Sequence, residues 1–343
     1  MNVMIDADVV ANRRWSPIIE LIMELAAGGR HDLDYETLDN LRESGWVKDG
    51  SSDIVELLGH IEKVQSLRGL SVAKVMIRAG VVDSGLIGAD GETVVSPLRA
   101  LEFLYTPFQI VLENEEFDGA FLLWMARALK RDDFLRAYRL SKVDFRHAGG
   151  KGSIDRSIRL LSSRVWGRAD RKYSREMSKW AAVIIDSDSK HPGHHPNLSI
   201  IDKIRDRVAF SHLLSKRAIE SYLPKSFIIK KFPALRPKVE SLFSMTSEQR
   251  KHYHMKNGMK VDGVVLSKAD YQISMKPSPQ EKALFFSINE DHWDLLAPGF
   301  GASLADIYVS EDCRPDNSGI RSMIDPDDAM EMDELFTSIM RAC

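Results

Sequence analysis

The stretch Ala181-Ala182-Val183-Ile184-Ile185-Asp186-Ser187-Asp188 joins an unbroken apolar run to a pair of acids. Small and β-branched residues without polar alternation are the pattern of a strand buried on both faces, and such strands belong to parallel sheets covered by helices. A second run of the same kind, Ile110-Val111-Leu112, ends at Glu113-Asn114-Glu115-Glu116. Open α/β sheets collect their chemistry outside the carboxyl ends of the strands. Two acidic clusters at two strand ends are therefore candidates for a single site.

Outward from these runs, strand alternates with helix from Thr106 onward. Strand Gln109–Leu112 precedes a helix over Asp118–Leu129, whose Phe121, Leu122, Met125 and Leu129 share one face. A second strand, Lys142–Ala148, runs into Gly149-Gly150-Lys151-Gly152-Ser153. A long basic helix then leads to Ala181–Ile185, and a fourth strand, Val208–Leu213, precedes Ser215-Lys216-Arg217-Ala218-Ile219-Glu220. Strands separated by helix-length segments predict a parallel, Rossmann-like sheet with right-handed crossovers. Residues 1–105 read as a mainly helical N-terminal module: Ile18, Ile19, Ile22, Met23 and Leu25, then Ile54, Leu57, Leu58, Ile61, Val64 and Leu67, recur at helical spacing. The predicted organisation is an N-terminal helical module (1–105), an α/β core (106–224) and an α-rich C-terminal extension (225–343).

Several carboxylates in one place need a counter-charge, because like charges cannot all ionise together. A divalent metal is the usual solution. Magnesium, or manganese in its place, accepts oxygen ligands, needs only one or two carboxylates beside water, and leaves positions for substrate phosphate. The pattern points to phosphodiester chemistry. The charge distribution agrees: the formal net charge is −3, yet residues 127–179 hold 16 Lys/Arg against 6 Asp/Glu, while residues 1–60 hold 5 against 12 and residues 311–343 hold 3 against 9. A basic segment of that density suits a polyanion, although a solvated helical face has the same composition.

Length and composition bound the rest. A chain of 343 residues, 44% hydrophobic and 28% charged, is globular and long enough for roughly two to three domains. No apolar stretch approaches the roughly 20 residues of a membrane span, and Asp6 and Asp8 ahead of Asn-Arg-Arg do not resemble a signal peptide. Two cysteines, Cys313 and Cys343, make no disulfide framework, so a reducing cytoplasm and no membrane partner are expected. His191, His194 and His195 lie in a Pro- and Gly-containing loop without zinc-ligand spacing, which favours an exposed polar loop. Downstream, Met245–Gly258 is basic with interleaved aromatics and reads either as a nucleic-acid contact or as a helix start capped by Thr246 or Ser247. The acidic tail is expected to stay solvated or to pack on a partner.

The order Glu after the first strand, Gly-Lys-Gly after the second, Asp-x-Asp after the third and Arg-x-Ile-Glu-x-Tyr after the fourth resembles the TOPRIM domain. The version it resembles is that of overcoming-lysogenization-defect (OLD) family nucleases, over residues 106–224. The resemblance implies that Glu113 is a metal ligand or general acid/base and that Asp186 and Asp188 hold metal. It also implies that Glu220 joins them and that a basic residue, Lys216 or Arg217, stabilises the transition state. Lys151 would meet phosphate at the glycine turn. The chain departs from the family where glycine and a second acid usually follow the first glutamate; here Asn114 and Phe117 stand there, leaving Glu116 or Asp118 to supply the second carboxylate. No Gly-x-x-x-x-Gly-Lys-Ser/Thr loop occurs, so the resemblance implies an anti-phage effector nuclease paired with a separate ABC-type ATPase, with self-association also allowed. Alternatives are a TOPRIM maturase for structured RNA and a non-catalytic adaptor in an ATPase complex.

Overall fold

The computed structural model describes residues 1–50, 52–66, 74–79, 86–87, 93–166, 180–301, 304–315 and 319–343. Its architecture is α/β, built on two sheets. The first combines β1 (Asn2–Ile5), β2 (Asp32–Leu33), β3 (Lys74–Ile77), β4 (Leu86–Ile87) and β5 (Thr93–Val95) in the order β2-β1-β3-β5-β4, parallel except for the antiparallel edge strand β4. The second combines β6 (Phe108–Leu112), β7 (Val143–His147), β8 (Ala181–Ile185) and β9 (Phe210–Leu213) in the order β7-β6-β8-β9, all parallel.

The second sheet is the one predicted, with β8 at the expected residues and the other strands within two residues of expectation. Every residue of β6 and β8 is buried. Period-2 alternation divides them between two cores: Ala182 and Ile184 face one, whereas Ala181, Val183 and Ile185 face the other. The smaller core lies under the helices Ile154–Trp166 and Leu198–Ile204. The larger runs through helix Glu115–Ala128 into the C-terminal helices. Each fully buried Ile or Val contributes roughly 1.5–3 kcal/mol of transfer free energy, so this central pair anchors the sheet. The segment 167–179, expected to continue the basic helix, lies outside the described residues, as does most of the Gly80 to Gly91 region.

The first 105 residues correct the expectation of a helical module. The helices are present, notably Ser16–Ala27 and Ser52–Ser66, but they pack around a five-stranded sheet. Its strands are two to four residues long, too short to print a period-2 signature beside long helical patterns.

The C-terminal region is helical, as predicted. The helix Ser247–His252 begins with a capping box, in which Thr246 Oγ accepts from Gln249 N–H and the Gln249 side chain accepts from Thr246 N–H. The acidic tail does not stay solvated. Helix Pro326–Ala342 buries Met332, Leu335, Phe336 and Ile339 in the larger core, with Phe134 and Phe336 ring centroids 4.7 Å apart. Arg131 donates to the Asp333 carbonyl at 2.7 Å and Trp124 Nε1 to the Cys313 carbonyl at 2.8 Å. No described helix is long and apolar enough to cross a membrane.

Candidate active site

Strand order decides where a site forms. From β6 the chain crosses to β7 on one side, then returns past β6 to β8 on the other, so β6 and β8 flank the point where the connections diverge. Crevices open at the carboxyl ends of such strand pairs. Val111 pairs with Val183, which brings Glu113 and Asp186 to the same edge. There a cleft of about 420 Å³ is lined by Glu113, Asp118, Asp186, Asp188 and Glu220, together with Lys151, His254 and Lys256.

Each acid is placed by its own local structure. Asn114 caps helix Glu115–Ala128, its Oδ1 accepting from Glu116 N–H at 3.0 Å and Phe117 N–H at 3.4 Å. One turn into that helix, Asp118 Oδ2 accepts from Asn114 N–H at 2.9 Å, which turns its carboxylate back toward Glu113. The Asp186-Ser187-Asp188 loop is stitched to the loop after β9. Ser187 Oγ donates to the Lys216 carbonyl at 2.8 Å and Asp188 N–H to the Arg217 carbonyl at 3.1 Å. Asp188 adopts a left-handed backbone with φ 51°, which Asp tolerates better than most residues. Asn197 completes the support, donating to the Asp186 carbonyl at 2.7 Å and to Asp188 Oδ2 at 3.2 Å.

Electrostatically the cleft holds more negative charge than it compensates. Burial pushes the Asp118 carboxyl up to about 6; the Asn114 bond opposes this and the charges of Glu113 and Glu220 add to it. Asp186 is raised well above the carboxylate range by burial, then by Asp118 and Glu220. Glu220 is raised by burial, with Lys256 opposing. Asp186 Oδ1 is buried with no hydrogen-bond partner. Lys151 is the cation inside the group, its Nζ bonded to Asp188 Oδ2 and 3.4 Å from Glu113 Oε2. Burial works against the Lys151 charge, but Asp188, Glu113 and Asp186 outweigh it and raise its pKa.

Among the described residues, no three His, Cys, Asp or Glu side chains already stand as a ready ion cage. The donor set still fits a hard divalent cation. It is all oxygen, it includes a buried oxygen without a partner, and magnesium commonly takes one or two carboxylates with water completing its shell.

Not every expected residue reaches the cleft. Glu116 is exposed and lines a separate shallow groove with Glu115 and His147, so Asp118 is the second acid of the first motif that faces Glu113. Lys216 points away: its Nζ donates to Asp328 Oδ2 at 2.5 Å and to the Ser221 carbonyl at 3.0 Å, beside a different cavity. The Arg217 guanidinium donates to the His252 carbonyl at 3.1 Å, while its own carbonyl supports Asp188. His191, His194 and His195 occupy a half-buried to exposed turn, with no ligand grouping among the described residues.

Sequence reasoning missed His254, Lys256 and Asn197. The turn carrying Lys256 is fixed by Phe300 N–H donating to the Met255 carbonyl at 2.8 Å and Gly301 N–H to the Lys256 carbonyl at 3.1 Å. The only signal was the basic, aromatic character of Met245–Gly258; nothing in its spacing ties it to a strand end. His254 is lowered to about 4 by burial and then by Arg217, so it is neutral at physiological pH. No family model, no curated protein and no solved structure matches the chain.

Proposed function

We propose that the protein is a divalent-metal-dependent nuclease of the TOPRIM type, hydrolysing phosphodiester bonds of DNA or RNA. One observation carries this reading. Glu113, Asp118, Asp186, Asp188 and Glu220, drawn from three separate chain segments, meet at the divergence point of a parallel sheet around a buried oxygen without a partner. An ordinary loop-capping role would not bring all five to one cleft.

Glu113, Asp186, Asp188 and Glu220 would hold one or two metal ions, with water completing each shell. When bound, magnesium or manganese supplies a water acidic enough to attack phosphorus and offsets charge on the phosphate oxygens. Lys151 and Lys256 sit on the cleft wall and bind non-bridging phosphate oxygens as the pentavalent state forms. Asp118, held through one oxygen by Asn114 N–H, presents the other as a proton acceptor. Hydrolysis then adds water across one P–O bond, leaving a phosphate monoester and a hydroxyl. The resemblance to OLD-type TOPRIM proteins supports a further step, that the nuclease serves an anti-phage system under a separate ABC-type ATPase.

The test is cleavage of plasmid DNA, genomic DNA and total tRNA with Mg²⁺ or Mn²⁺, beside Glu113→Ala and Asp186→Asn. Cleavage by the native chain and none by either variant is expected, and cleavage that persists in both would overturn the assignment.

A further inference from the structure

The structure assigns to Lys151 the role of a resident cation that occupies the acidic cleft until a divalent ion displaces it, and that then turns to the substrate phosphate. This rests on the metal-nuclease reading above. Three observations carry it. The Lys151 ammonium lies between two acids contributed by different strands, bonded to Asp188 and 3.4 Å from Glu113. The Lys151 side chain is 20% exposed, while its partners Glu113 and Asp188 are 38% and 45% exposed, so the ammonium sits inside the cleft and the carboxylates reach its mouth. Asp186 Oδ1, in the same cleft, remains without a hydrogen-bond partner. The ammonium thus neutralises part of the cluster and leaves the deepest oxygen for another cation.

The backbone lets the lysine leave. Lys151 follows Gly149 and Gly150, which have φ of 79° and 94°, and it precedes Gly152; a Cβ at any of these glycines would meet nothing within 4 Å. Ala148 N–H, bonded to the Leu112 carbonyl at 2.9 Å, anchors the start of the turn to β6, and beyond it Gly150 N–H reaches the Glu113 carbonyl at a long 3.4 Å. Glycines in open space can change conformation at little steric cost. A divalent ion brings twice the charge of the ammonium to the same oxygens and displaces it. The released amine, still at the cleft wall, can then pair with a phosphate oxygen.

Calorimetric titration of Mn²⁺ into the nucleic-acid-free chain tests this, comparing the native protein with Lys151→Met, Lys151→Arg and Asp186→Asn. Lys151→Met, which keeps length and removes charge, is expected to bind Mn²⁺ about tenfold or more tightly than the native chain. Lys151→Arg should stay near native affinity and Asp186→Asn should bind more weakly. Equal or weaker binding by Lys151→Met would overturn the role of Lys151 and leave the metal reading standing, whereas absence of Mn²⁺ binding in every protein would overturn both. A second measurement needs no variant. Acetylation of Lys151 by an amine-reactive ester, followed by mass spectrometry, should speed up when Mn²⁺ is added, and an unchanged rate would count against displacement.

Discussion

Lys216 and Lys256 separate what spacing suggests from what packing decides. Lys216 lies within the fourth motif, yet it forms a buried pair with Asp328, the side chains being 14% and 6% exposed. Burial dominates Asp328 and raises it to about 6 even with Lys216 beside it, so the pair is held mainly by the cost of breaking it. Lys216→Met should destabilise the fold by roughly 3 kcal/mol because it strands Asp328, and Lys216→Met with Asp328→Ala should recover most of that in chemical denaturation. Lys256→Ala is expected to leave the melting temperature nearly unchanged and to lower cleavage by about a hundredfold, as for loss of one charge-stabilising donor. The reverse pattern, with Lys216 essential to cleavage and Lys256 dispensable, would place the positive charge elsewhere. At this scale Glu113, Asp186, Asp188 and Glu220 were legible because each ends or follows a recognisable strand. Asp118 was legible only as one of two candidates, since choosing it over Glu116 requires knowing which face of a helix turns inward. Lys256 was not legible, because contacts across more than thirty residues leave no trace in local spacing.

Among the elements, the contact between helix Glu115–Ala128 and strand β7 sets the position of Asp118. Gly119 makes that contact close: a Cβ there would stand 2.9 Å from the Phe145 ring. Gly119→Ala is therefore expected to cost about 1–3 kcal/mol through overpacking and to lower cleavage by moving the adjacent Asp118, while the same substitution at Gly59, where nothing lies within 4 Å, should be neutral or stabilising. Thermal unfolding of the two variants checks this, and equal melting temperatures would show that the interface yields freely. The centre of the second sheet could be read in advance because β8 and the Ile110–Leu112 part of β6 are continuous apolar runs, a signature that full burial imposes. The first sheet could not, because strands such as Asp32–Leu33 and Leu86–Ile87 are shorter than one alternation. They are specified by the strands beside them rather than by their own residues.

For the whole molecule, the excess negative charge of the cleft couples stability to pH and to metal. Asp118, Asp186 and Glu220 all have folded-state pKa values above their ordinary ones. The stability they contribute is present in full below the ordinary carboxylate range and is lost as pH rises through each group's raised pKa, which for Asp118 is about 6. Glu331 has the opposite sign: burial opposes its charge, but bonds from His212, Ser215 and Tyr222 outweigh this and depress it. Its contribution is lost only as pH falls below the ordinary range, whereas the Met1 amino group, lowered to about 5 by burial, and His31 and His254, also lowered by burial, add stability as pH rises between 5 and 8 and oppose the carboxyl effect there. The carboxyl contribution is read by difference: in the metal-free protein, Asp118→Asn should raise the melting temperature relative to the native chain more at pH 7.5 than at pH 5.5. A divalent ion binds the ionised carboxylates, so saturating Mg²⁺, worth about 2.7 kcal/mol at a hundred times its dissociation constant, should raise the melting temperature more at pH 7.5 than at pH 5.5. Differential scanning calorimetry at both pH values, with Mg²⁺ and with EDTA, reads this directly. An equal gain at the two pH values would mean that the ion binds outside the cleft, and an equal effect of Asp118→Asn at both would mean that Asp118 does not ionise between them.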